Sequence, residues 1–154
     1  MSICSYDDPM SGNDLASIRT AATALSPWAH IATIGADNRP DVVPVHPCWE
    51  GDTLWLMIGM TSVKANNVRH NPHVALHWQV TEKGDGVEMW GTASLHDDLE
   101  TKRRLWTGVF DYDLNMFAPG GADNSPGTGF MRVDIYRALH LPMYGMGGRF
   151  EWHA

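Results

Sequence analysis

The chain of 154 residues and 17.1 kDa is large enough to bury one real core but not two. Its net charge of −7, with only 11 Lys and Arg, argues against a nucleic-acid or anionic-membrane surface, so any anion has to be captured locally. No run of about eighteen apolar residues and no basic-then-apolar leader occurs, and the two cysteines, Cys4 and Cys48, form no disulfide framework, so a cytoplasmic protein with free thiols is expected.

Residues 1–10 read as a loose tail. Leu15, Ile18, Ala22 and Leu25 recur at helical spacing and predict a helix over residues 11–25, capped by Ser11 or Asn13 and ended by Pro27. Ala29 to Ala36 alternates as a strand, Asp37-Asn38-Arg39 is a tight turn, and Val42, Val43, Val45 and Trp49 mark the returning strand of a hairpin. Pro40, Pro44 and Pro47 each remove a ladder donor from that second strand, so it is irregular or partly unpaired and offers its backbone to something else. Glu50-Gly51-Asp52 turns the chain, and Thr53 to Ile58 is a buried strand.

That strand delivers the stretch from Gly59 to Pro72, which carries the clearest chemical signal. Thr61 or Ser62 is positioned to cap a short helix, and Pro72 forces the preceding residue out of helical geometry. Lys64 and Asn67, three apart, share a helix face. A hydroxyl cap, free backbone N–H groups, the positive end of the helix dipole and an ammonium then converge on one spot, which is what a phosphate monoester needs. The same pattern also describes an ordinary capped surface helix whose lysine points into water.

Further on, His73 to Val80 and Gly86 to His96 read as strands around a loop at Thr81 to Asp85. Asp97 and Glu100 stand at capping-box spacing before a helix whose Leu99, Arg103 and Trp106 share a face. The Gly- and Pro-rich run from Phe117 to Gly129 is a loop, and no Gly-Lys-Ser/Thr follows to make it a nucleotide-binding one. Phe130 to Leu139 alternates as a strand, and Gly148 to Trp152 predicts a last short one. Many short antiparallel strands with three helices predict one mainly β domain over residues 1–154, a small closed or nearly closed barrel.

The order and spacing of these pieces resemble the pyridoxamine 5′-phosphate oxidase-like family of FMN-binding split barrels, especially its general-stress-protein branch. The resemblance covers residues 29–138 and rests on Gly35, Asp37 and Pro40, on Val42-Val43-Pro44-Val45, on Gly51-Asp52-Thr53-Leu54-Trp55, on Gly91-Thr92-Ala93, and above all on Ser62-x-Lys64-x-x-Asn67-Val68-x-x-Asn71-Pro72. It implies an antiparallel split β-barrel and a homodimer with the cofactor site at the subunit interface. It also implies that Thr61, Ser62, Lys64 and Asn67 hold the flavin phosphate. By the same resemblance Val43, Pro44 and Val45 lie along the isoalloxazine edge, and the run from Met57 through Gly59 to Met60 borders the ribityl chain. Relatives often carry an arginine two residues before the lysine, where this chain has Ser62. Residues 148–153 lack the Arg- and His-rich motif of true pyridoxamine-phosphate oxidases, so a different small-molecule substrate is expected. An FMN-dependent oxidoreductase is the leading expectation. An 8-hydroxy-5-deazaflavin in the same pocket, or a flavin- or haem-binding protein without turnover, with His46 or His77 as haem ligand, are the alternatives.

Other clusters carry ordinary readings. His70, His73 and His77 have ligand-like spacing, but Pro72 breaks their alignment and a strand sets the last two about 13 Å apart, so no metal site is expected. Trp49, Trp55, Trp78 and Trp90 read as core and interface packing, and Arg103 and Arg104 as a solvated helix face. Ser94, His96 and Asp97 are sequence neighbours rather than a triad.

Overall fold

The computed structural model describes residues 12–154. The expected tail at residues 1–10 and a cap at Ser11 lie outside them. Helix α1 (Leu15–Leu25) buries Leu15, Ile18 and Ala22, the residues at helical spacing. Its cap is Asp14 rather than Asn13. The Asp14 carboxylate accepts from the Ser17 hydroxyl at 2.7 Å and from the Ser17 N–H at 2.8 Å, and these bonds hold its pKa below the usual carboxylate range. Ahead of Pro27, Ser26 turns extended and the helix stops.

Eight strands form one antiparallel sheet: β1 (Ala29–Ile34), β2 (Pro40–Val45), β3 (Cys48–Glu50), β4 (Thr53–Gly59), β5 (His73–Trp78), β6 (Gly86–His96), β7 (Thr128–Leu141) and β8 (Phe150–His153). Their order across the sheet is β2-β1-β5-β6-β7-β4-β3, with β8 beside the end of β7. The expected strands are present with ends moved by at most two residues, except the proline-rich one, which divides into β2 and β3. Pro40 and Pro44 are four apart and so share one side of β2, and β2 has a ladder partner, β1, on one side only. Both missing donors are therefore tolerated at an open edge.

Strands β2 and β3 end the sheet at opposite edges, yet only His46 and Pro47 join them. So short a connection spans no more than about 11 Å, so the edges must be brought together and the sheet rolls into a barrel. No ladder links β2 to β3 among the described residues, which leaves a seam where they meet. The barrel is split there rather than closed.

Leu54, Leu56 and Ile58 of β4 and Met131, Val133 and Ile135 of β7 point into the barrel core, together with Ile31, Leu76 and Met89. Trp55 and Phe130 lie on the opposite face of the same two strands and form a second cluster with Leu105 and Leu114, with Met57, Trp106, Phe110 and Tyr112 packed around it. That outer cluster belongs to helix α3 (Leu99–Leu105) and the segment after it. The α3 cap is Asp98, which accepts from Thr101 N–H at 2.9 Å, and the buried face is Lys102 and Leu105, while Leu99 is exposed. Lys102 Nζ donates to the Ser125 carbonyl at 2.7 Å, and Arg103 holds Asp123 with bonds of 2.8 and 3.1 Å. Arg104 pairs with Glu50. The two arginines lie on an exposed face of α3, as expected, and from there tie the Gly- and Pro-rich loop and β3 to the helix.

Gly91 sits at a register shift between β6 and β7, and a Cβ there would lie 2.6 Å from Val133 Cγ1 and 2.7 Å from the Asp134 carbonyl oxygen. Only glycine fits this crossing. Trp55 and Trp78 are buried, Trp49 is half-buried under the Arg19 guanidinium, and Arg137 stacks 4.2 Å from the Trp90 ring.

Candidate functional site

Helix α2 (Val63–His70) leaves β4 through a loop that is held from several sides. Ser62 caps it, its Oγ accepting from Ala65 N–H at 3.3 Å, and Met60 N–H donates to the Gly127 carbonyl at 2.9 Å. Arg69 folds back from the helix end, its Nη2 donating to the Met60 carbonyl at 2.8 Å and its Nη1 to Asn66 Oδ1 at 2.7 Å. The start of this helix borders a cavity of about 590 Å³ at the seam.

Five of the residues expected at a cofactor site line that cavity: Pro44, Val45, Met57, Gly59 and Lys64. Lys64 is half-buried there. Val43 and Met60 pack against the barrel core, Thr61 is exposed outside the lining, and Ser62 spends its oxygen on the helix cap. Asn67 is buried, and its amide donates to Thr33 Oγ1 at 3.0 Å, pinning α2 to β1. Two residues three apart differ by about 60° around a helix. Here that offset sends Lys64 to the cavity and Asn67 to the barrel.

Of the remaining lining, Ile58 belongs to the run from Met57 to Met60 and His46 was a candidate haem ligand, whereas Trp28, Tyr112, Met116, Phe117 and Thr128 were not visible in the sequence as a site. Tyr112, Met116 and Phe117 reach the seam because the outer cluster fastens residues 105–117 across β4 and β7. Trp28, Met116 and Phe117 are exposed by 59%, 74% and 71%, an apolar rim around a cavity mouth.

Beside the cavity, His46 Nε2 lies 2.8 Å from Asp111 Oδ1, and the Cys48 thiol donates to the same oxygen at 3.3 Å. The His46 nitrogen is itself buried and outside hydrogen-bonding angle to Asp111, so it has no hydrogen-bond partner among the described residues. Burial pushes the Cys48 thiol up to about 11, and burial followed by the negative neighbours Cys48 and Asp111 pushes Tyr112 up to about 12. Both groups are held neutral in the fold. Their contribution to stability is complete below the unfolded values near 9.0 and 10.0 and is lost as pH rises through about 11 and 12. Thermal melts are expected to show a midpoint that falls as the pH is raised from about 9, with the early part of the fall absent in Cys48→Ser. A midpoint flat to pH 11 in the wild type would contradict the assignment.

The other clusters stay apart or turn outward. His73 Nδ1 meets the Tyr136 hydroxyl at 3.3 Å, and no grouping of His70, His73 and His77 forms. Ser94 Oγ and His96 Nε2 are 2.9 Å apart on an exposed face of β6.

Solved structures share the fold at low identity. A protein related to general stress protein 26, from Clostridium acetobutylicum, superposes with a TM-score of 0.73 at 17% identity over 91% of this chain and 96% of that one. A pyridoxamine 5′-phosphate oxidase-related, FMN-binding protein from Nostoc punctiforme gives 0.64 at 17% identity, over 95% and 91%. A heme-binding protein from Mycobacterium smegmatis gives 0.68 at 15% identity, over 91% of this chain and 58% of that one. No curated protein matches the sequence. The family model for pyridoxamine 5′-phosphate oxidase does match, over residues 20–136. That span takes in the seam, the loop into α2, most of β7 and every residue that lines the cavity, and the chain belongs to the pyridoxamine 5′-phosphate oxidase family.

Proposed function

We propose that the seam cavity binds FMN and that the protein is a flavin-dependent oxidoreductase for a small molecule, working as a homodimer with the site at the subunit interface. The observation that carries this reading is the placement of Lys64 and the start of α2 on a mainly apolar cavity whose volume, about 590 Å³, is that of a cofactor pocket. The helix start and the ammonium take the phosphate. The edge of β2 at Pro44 and Val45, and Met57 and Ile58 on β4, hold the flat ring. Pro44 has no N–H, so its backbone can only accept a hydrogen bond from the ring, which selects a donor edge. FMN supplies the electron transfer, while the chain binds, orients and keeps water away.

Two observations support the finer points. The apolar rim of Trp28, Met116 and Phe117 is suited to being covered by a second subunit. His46 is the one histidine lining the cavity, and its Nε2 is buried against Asp111 instead of facing a ligand, which favours flavin over haem.

Titration with FMN and riboflavin, followed by flavin fluorescence, tests the phosphate end. FMN is expected to bind more tightly, and equal affinities would remove the role given to the α2 start. The absorption bands of the complex separate flavin from deazaflavin and haem. Sedimentation is expected to report a particle of about twice 17.1 kDa, and a monomer that binds FMN tightly would rule out the interface site.

A further inference from the structure

We propose that His46, Cys48 and Asp111 form a binding site for one divalent transition-metal ion of the zinc type, at the wall of the flavin cavity that His46 lines. His46 and Cys48 stand two residues apart at the seam, and Asp111 reaches them from the segment after α3. Their candidate ligand atoms, Nε2, Sγ and a carboxylate oxygen, all lie within 4.8 Å of one another, the only such grouping of three among the described residues. Around a tetrahedral zinc the same atom types stand about 3.3 to 3.6 Å apart, as follows from metal–ligand distances of about 2.0 to 2.3 Å. The observed 3.3 Å between Sγ and Oδ1 is close to the roughly 3.5 Å of such a pair, the 2.8 Å between Nε2 and Oδ1 has to open by about half an ångström, and Nε2 and Sγ, within 4.8 Å, have to settle at about 3.6 Å to admit the ion.

Three further features favour an ion over a plain polar contact. The His46 nitrogen is buried and donates no hydrogen bond although a carboxylate oxygen is 2.8 Å away, so in the tautomer protonated at Nδ1 its lone pair is available to a metal ion. The imidazole is fixed between the Tyr112 ring, at 4.4 Å between centroids, and the Trp28 edge, at 6.2 Å, which limits the ordering cost of binding. A thiolate and a carboxylate also cancel the double charge, giving a neutral cluster suited to a site half withdrawn from water. Binding replaces the thiol proton by the metal, the proton leaving to solvent, with no change of oxidation state. Imidazole with thiolate selects zinc-like ions over magnesium or calcium, and three protein ligands leave a fourth position open.

The site is read with Co²⁺ in flavin-free protein carrying Cys4→Ser, which leaves Cys48 as the sole thiol. One equivalent of Co²⁺ is expected to bind, with a near-ultraviolet thiolate-to-cobalt charge-transfer band and the visible bands of a four-coordinate ion, both abolished by Zn²⁺. A further Cys48→Ser change is expected to remove the charge-transfer band. Asp111→Asn, at a side chain 65% exposed and so harmless to folding, is expected to weaken Co²⁺ binding by more than the roughly 10–100-fold typical of an outer-shell partner. No binding, a spectrum without the thiolate band, or equal affinity in Asp111→Asn would each overturn the site. None of these readouts depends on FMN, so the flavin reading stands or falls separately.

Discussion

Lys64→Ala is expected to weaken FMN binding roughly tenfold to somewhat over a hundredfold, while riboflavin binds wild type and variant alike. Lys64 stands in the first turn of α2 and lines the cavity, so its ammonium and the first N–H groups of the helix meet the same phosphate. Truncation removes a charge-assisted hydrogen bond worth on the order of 1.5–3 kcal/mol, which sets the size of the loss. The fold should be indifferent: alanine has the best helix propensity, and Ser62, Arg69 and Asn67 still hold the loop and the helix, so stability should change by under about 1 kcal/mol. Raising the salt should narrow the gap between the two proteins, since a half-buried ammonium is still partly screened. The measurement is fluorescence quenching with both flavins at low and high salt. Equal losses for FMN and riboflavin would mean that Lys64 supports the ring or the fold, and the phosphate would have to be placed elsewhere.

Phe130→Ala is expected to do the reverse, reaching the site by way of the fold. Phe130 is fully buried at the centre of the outer cluster, with the Phe110 ring 5.4 Å and the Trp106 ring 6.1 Å from its own. Emptying that position should cost about 3–5 kcal/mol, or roughly 10 °C in melting temperature for a domain of this size. Phe130 does not line the cavity, yet it anchors the segment that brings Tyr112, Met116 and Phe117 to it. FMN and riboflavin affinities should therefore fall together, in contrast to Lys64→Ala. Calorimetry beside the same flavin titrations reads both effects, and a loss of stability with unchanged flavin binding would show that the segment keeps its place without the cluster.

What the sequence showed and what it hid follow from the range of the interactions involved. Strand β6 is read to the residue, Gly86 to His96, because its alternation and the turn before it are local, and α2 is bracketed by Ser62 and Pro72. The hairpin edge was legible as irregular from its prolines alone, and the break at His46 and Pro47 is where two of them crowd. The buried face of α3 was not legible because Lys102 goes inside only with a carbonyl partner, and that partner, Ser125, lies in a loop 23 residues on. Asn67 looked like a neighbour of Lys64 because spacing within a helix gives the approximate face and not the angle that separates cavity from core. Asp111 and Tyr112 lie in a stretch without periodicity, placed by Phe130 and Leu114 from outside, so nothing short-range announced that they meet His46 and Cys48. The aromatic content of residues 106–117 was the one available hint.

The place of β7 in the sheet bears on when the protein can fold during its synthesis. Among the described residues β7 alone connects β2-β1-β5-β6 on one side to β4-β3 on the other. Its partner residues in β4, such as Thr53 opposite Asp134, leave the ribosome about eighty residues earlier. At roughly 5–20 residues per second, β4 waits on the order of ten seconds with its apolar faces uncovered. A nascent chain stopped before Thr128 holds two sheet fragments with no ladder between them, and it lacks Met131, Val133, Ile135 and Ala138 of the core cluster and Phe130 of the outer one. Chaperone capture of this protein should therefore peak in the interval before β7 emerges, and the strand that completes the barrel also ends the period of greatest exposure.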